Sequence, residues 1–194
     1  MWRLLVLVLS GLLLYGLADG QPLTRFNPKA GFSVFKYQDE LDLRDRMSHP
    51  AFNVGFDVSI REGNWIFTPG FYYQRIGIHP ERLSLGKLFS NRRNLHYAHM
   101  PVSAGRIFKL GKIIEVMPFV GADLQFFLSI DKNSSNITNP DLKSFQAGGH
   151  LGGQVRLADH FTVDLAYVFS LMPSFKSREK SIFRGYTFTF GYLF

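Results

Sequence analysis

Seven ionisable side chains, Asp57, Arg61, Glu115, Asp123, His150, Arg156 and Asp164, stand in stretches where every second residue is apolar. A β-strand sends alternate side chains to opposite faces, so these groups share the face opposite the apolar one. Gathered in one interior they could do three things. They could satisfy one another as a structural network. They could carry protons or ions along a path. They could also act as acid, base and orienting groups of a catalytic site. We expect the network, because a small barrel needs a polar filling and its interior is only wide enough for side chains.

The catalytic alternative would be a lipid-modifying hydrolase, with Ser103 as nucleophile and His96, His99 or His150 as base. No nucleophile-elbow pattern occurs, and no serine stands a short fixed step from a histidine with an orienting acid. An enzyme is therefore not expected. His96 and His99 fall on opposite faces of one strand, which keeps them from sharing a metal ion, so neither metal nor cofactor is expected. A small ion channel is the other alternative, and it would show discrete conductance in planar bilayers.

Eight strands position these groups: residues 30–38, 52–61, 65–77, 95–105, 114–130, 145–157, 161–171 and 186–194. The longest, 114–130, is apolar at every even position, with Glu115, Asp123 and Gln125 among the odd ones. Pro69 lies inside the third, where a local irregularity is expected. The connections run long, short, long, short, long, short, long. That rhythm suits an up-and-down transmembrane barrel with both termini in the periplasm and the longer loops outside. Strand number is even, and typical lengths reach the roughly 9–11 residues that cross a bilayer at a tilt. The fold expected is all-β, an eight-stranded antiparallel up-and-down transmembrane β-barrel. A soluble eight-stranded barrel would not need charges inside and aromatic rows outside.

Residues 1–20 read as a signal peptide: Arg3, an apolar run from Leu4 to Leu14, and small residues before Gln21. Residues 21–194 then form one barrel domain, exported to the bacterial outer membrane as an integral protein. The chain has no cysteine, 18 glycines and 20 phenylalanines, a composition suited to a barrel held by its hydrogen-bond ladder. Net charge is +7, and it gathers in two long connections. Arg82, Lys87, Arg92 and Arg93 lie in one, and Lys176, Arg178 and Lys180 in the other. Facing outward, they would meet lipopolysaccharide phosphates. Nucleic acid is not an expected partner, since no binding motif accompanies the charge.

The last strand carries Tyr186, Phe188, Phe190, Tyr192 and Phe194 at every second position and ends on the terminal Phe. It resembles the C-terminal signal that outer-membrane barrels present to their assembly machinery, which is thus an expected partner during insertion. The segment Asn94-Leu95-His96-Tyr97-Ala98-His99-Met100-Pro101-Val102 resembles the Tyr-Leu-Glu-Ile-Pro-Leu segment of Bacteroidetes outer-membrane barrels of PorT-like type. Val163-Asp164-Leu165-Ala166-Tyr167 and residues 185–194 resemble that family's last two strands, while His99 replaces its usual acidic residue. The resemblance implies an eight-stranded outer-membrane barrel, structural or accessory in the envelope. It extends to a role beside a larger envelope or secretion complex. Deleting Phe194 is expected to impair insertion, read as loss of heat-modifiable migration in outer-membrane fractions; unchanged assembly would contradict the signal reading.

Overall fold

The computed structural model describes residues 23–38, 49–77, 94–131, 143–173 and 182–194. They form β1 (Leu23–Gln38), β2 (His49–Glu62), β3 (Trp65–Gly77), β4 (Asn94–Arg106), β5 (Phe108–Leu110), β6 (Ile114–Ile130), β7 (Phe145–Leu157), β8 (Phe161–Ser170) and β9 (Ile182–Tyr192). Every pairing is antiparallel and joins sequence neighbours apart from β4 with β6, and β9 returns to pair with β1. The short β5 continues the line of β4 after a break at Ile107, and both pair with β6. The result is a closed eight-stranded up-and-down barrel, as the alternation predicts.

Closure follows from the lack of any satisfactory open edge. Every strand N–H and C=O needs a partner where water is absent, and only a closed sheet supplies one to each strand. The expected seam between the first and last strands is present, with Ala30 opposite Phe190 and Phe32 opposite Phe188. Three tight turns, Gly63–Asn64, 111–113 and 158–160, lie at one end together with Leu23 and Phe194. Gly63 takes a φ of 59°, the left-handed conformation a tight hairpin asks for. The four longer connections all leave the opposite end.

Strand limits depart from the sequence reading mainly at the termini. β1 begins at Leu23 rather than residue 30, because Arg25, Asn27 and Lys29 face inward opposite Phe26 and Pro28. Long polar side chains beside a proline read as loop, although the alternation is intact. β9 begins at Ile182 rather than residue 186 and ends at Tyr192, yet Phe194 still donates its N–H to the Phe26 carbonyl at 2.9 Å. The stretch expected to turn at 109–112 turns at 111–113 instead. Pro69 stays within β3, where partners pass from Asp57–Gly70 to Ile60–Phe67 with a gap but no shift. A bulge appears elsewhere, in β4 and β6 between His96 and Tyr97.

The outer surface is apolar at right angles to what water favours. Phe26, Phe56, Phe71, Val120, Leu151, Leu165 and Phe190 are all exposed, far beyond the patch a soluble monomer tolerates. Trp65, Phe161, Tyr192 and Phe194 mark the short-turn rim, with Phe161 and Tyr192 edge to face at 5.4 Å. Tyr73, Tyr167 and Tyr186 lie toward the other rim. Two aromatic girdles around an apolar band are the mark of a barrel in a bilayer. Because the chain lacks cysteine, Ala30→Cys with Phe190→Cys gives a clean test of the seam. Oxidation should trap an intramolecular bridge that holds the barrel shut on heated gels; free thiols in the folded species would contradict this register.

Candidate functional site

The lumen is the candidate site, and each of the seven ionisable groups expected inside is there. Its centre is a residue the sequence reading left out. Lys29 points inward from β1 and is only 4% exposed. Its Nζ lies 2.7 Å from Asp57 Oδ2 on β2 and 2.5 Å from Asp164 Oδ2 on β8. To reach β8 it must cross the face of β9, where its cross-strand neighbour is Gly191. A Cβ on Gly191 would lie 2.5 Å from both Lys29 Cγ and Asn27 Oδ1, so the glycine makes room for the lysine stem.

Neutral and charged partners hold both carboxylates. Tyr72 donates to Asp57 at 3.1 Å, while Gln154 and Thr189 donate to Asp164 at 2.8 and 3.1 Å. Arg156 extends the network toward the short-turn end, donating to Gln154 Oε1 and Ser59 Oγ at 2.6 Å each. Arg61 and Glu115 pair there at 3.3 Å. A cavity of about 130 Å³ opens beside them, lined by Arg25, Arg61, Lys109, Glu115, Arg156 and Asp159.

A second cluster joins β4, β6 and β7. Asp123 accepts from both His99 Nε2 at 2.7 Å and His150 Nδ1 at 2.8 Å. The other nitrogen of His150 lies 2.7 Å from Ser103 Oγ. With neutral imidazoles, His150 donates to Asp123 through Nδ1 and accepts the Ser103 hydroxyl proton at Nε2. Gly121 stands directly opposite both Ser103 and His150, leaving the space the imidazole fills. This hydroxyl–imidazole–carboxylate order is that of a serine hydrolase. Spacing along the chain hid it, because its members come from three strands and meet only through the barrel register.

Both clusters line one central cavity of about 90 Å³. Its walls also carry Asn53 Oδ1, Asp57 Oδ1, Thr68 Oγ1 and Gln74 Oε1, buried oxygens without a protein hydrogen bond. Water in this cavity would find hydrogen-bond partners in such oxygens. Above the cavity, Phe35, Ala51, Ile76, Leu95, Tyr97, Val168 and Phe183 form a buried apolar cluster, with Phe127 and Ile130 packed against it. Its members come from six strands and the two packed against them from β6, so it lies across the lumen beneath the longer connections.

The five aromatic residues of the last strand all face outward. Phe188 and Phe190 lie edge to face at 4.7 Å, Tyr192 and Phe194 at 4.9 Å, and Phe188 meets Phe32 across the seam at 5.3 Å. The basic positions Arg82, Lys87, Arg92, Arg93, Lys176, Arg178 and Lys180 lie outside the described residues, as does the expected signal peptide. Among the described residues no cluster of metal-ligating side chains occurs.

Removing the shared cation should expose the energetics. Lys29→Met leaves two buried carboxylates without their counter-charge and should lower unfolding stability by about 3–5 kcal/mol. The triple variant Lys29→Met, Asp57→Asn, Asp164→Asn should recover most of that loss. Urea titration of the barrel in detergent measures both, and an equal deficit in the two variants would contradict a charge origin.

Comparison with known proteins comes to the same fold. Among curated proteins none matches the chain. Neisserial surface protein A is 15% identical over 87% of this chain and 97% of its own, with a TM-score of 0.55. Ail, the attachment invasion locus protein of Yersinia pestis, is 15% identical, covering 88% of this chain and 98% of its own, at a TM-score of 0.45. OprG of Pseudomonas aeruginosa is 12% identical, covering 90% and 98%, at a TM-score of 0.45. The model of the family described as "Outer membrane protein beta-barrel domain" matches residues 20–176. With an apolar belt, a closed ladder and a family match over most of its length, the chain belongs to the outer membrane protein beta-barrel domain family.

Proposed function

We propose that this outer-membrane barrel is a structural or accessory component of the cell envelope, of PorT-like type, working beside a larger envelope or secretion complex. It is not an enzyme in this reading. A cleaved signal peptide exports it, the barrel-assembly machinery inserts it through the strand ending at Phe194, and its long-connection end makes the contacts. Lipopolysaccharide is its lipid neighbour there. The observation that supports this reading is the state of the lumen. The polar interior is engaged with itself around Lys29 and Asp123, and the Phe35–Tyr97–Phe183 cluster lies across it. Dehydrating an ion to pass an apolar plug is costly, which favours contact surfaces over conduction.

One observation favours a second reading, the hydrolase. Ser103, His150 and Asp123 stand in the order and at the distances such chemistry uses. Against it stands the occupation of strand N–H groups by the ladder, which leaves few donors for an oxyanion.

Three measurements separate these readings and a channel. A mild-detergent pull-down of the tagged chain should recover envelope or secretion subunits, and recovery of the barrel alone would overturn the accessory role. A fluorophosphonate probe should leave the folded barrel unlabelled; labelling lost in Ser103→Ala would support the hydrolase instead. In planar bilayers the folded protein should show no discrete conductance steps, and regular steps would support a channel.

A further inference from the structure

The β1–β9 seam carries an arrangement that the ladder itself disfavours. Lys36 and Arg184 are directly opposite one another, both outward and exposed. Opposed residues on antiparallel strands have Cα atoms about 4.5–5.5 Å apart, and like charges in such pairs destabilise the sheet. Among the described residues neither is in an ion pair or hydrogen bond, and the other strand partner of Arg184 is Phe169, not an acid. Two unrelieved cations therefore face each other at the one seam that closes the barrel.

Their height is informative. Arg184 lies about 34 Å along the strand from Phe194 at ~3.4 Å per residue, or about 26 Å along the barrel axis at ~40° tilt. The apolar band of an outer-membrane barrel is about 25 Å tall. The pair thus stands at the edge of that band, on the side of the longer connections and so in the outer leaflet. Just inside it, Tyr186 is opposite Val34 and packs against Tyr167, the rings tilted at 59° with centroids 5.4 Å apart. The lysine stem can lie along this apolar surface with its ammonium at headgroup level.

We propose that Lys36 and Arg184 form a binding site for the phosphate of an outer-leaflet glycolipid, whose acyl chains lie on the Val34, Tyr186 and Phe169 surface. A guanidinium forks onto phosphate oxygens through two N–H groups, and an ammonium adds a point charge from the other side. A bound phosphate turns the repulsion across the seam into a bridge between the first and last strands. The site rests on the outward orientation of the longer connections in the reading above, and not on the accessory role.

The test uses the full chain refolded into nanodiscs of phosphatidylcholine with or without bis-phosphorylated lipid A. Native mass spectrometry counts retained lipid A, and heat-modifiable migration gives the melting midpoint. Each charge removed should lower retention about fivefold, the equivalent of ~1 kcal/mol per basic group at a membrane surface, so Lys36→Gln with Arg184→Gln should retain little. In phosphatidylcholine alone, Lys36→Glu should melt above the wild type, because it pairs with Arg184. With lipid A present the order should reverse. Equal retention by wild type and double variant, or retention unchanged by dephosphorylated lipid A, would overturn the proposal. Stabilisation by inorganic phosphate alone, as large as that by lipid A, would overturn the lipid as the source.

Discussion

The interior depends on a single ammonium shared by two carboxylates. Lys29 ties β1 to β2 through Asp57 and to β8 through Asp164, passing over β9 on the way. One side chain thus couples four neighbouring strands, including both partners of the closing seam. Burying one cation with two carboxylates is helped by further donors, Tyr72 to Asp57 Oδ2 and Gln154 and Thr189 to Asp164, while Asp57 Oδ1 is left without a protein partner. Gly191 belongs to the same device, for any side chain there would occupy the path of the lysine.

From that centre the lumen sorts by chemistry along its axis. Arg156, Arg61 and Glu115 form a charged mouth at the short-turn end. The His99–Asp123–His150–Ser103 chain binds β4, β6 and β7 on the wall away from Lys29. Apolar side chains close the far end. A membrane barrel inverts the soluble arrangement, so stability cannot come from an oily core throughout. It comes from the ladder, the interior pairs and this short apolar plug, while lipid covers the aromatic outside. In the proposed reading, function is carried by surfaces rather than by a passage.

The seam shows how the outside and inside divide the work of closure. Inside, Ser33 and Thr187 share a hydrogen bond at 2.8 Å, and Lys29 lies over Gly191. Outside, Phe32 packs on Phe188, yet Lys36 stands against Arg184. Membrane proteins can leave such a pair in place because the bilayer edge supplies anions that a soluble protein would have to build for itself.

Alternation and loop rhythm carried most of the fold in the sequence, since a strand of period two with one lipid face leaves little freedom of register. Strand number, facing, the closing partner and the inward placement of Asp57, Arg61, Glu115, Asp123, His150, Arg156 and Asp164 all follow from it. Where polar inward residues sat beside Pro28, the same rule was harder to read and the start of β1 was lost with Lys29. What no spacing rule could supply is which inward residues meet. Asp123 lies 27 residues from His150, and Lys29 lies 135 residues from Asp164. Those meetings depend on strand stagger and on the order in which the sheet closes. Local sequence chooses the face of each side chain; only the closed barrel chooses its neighbour across the lumen.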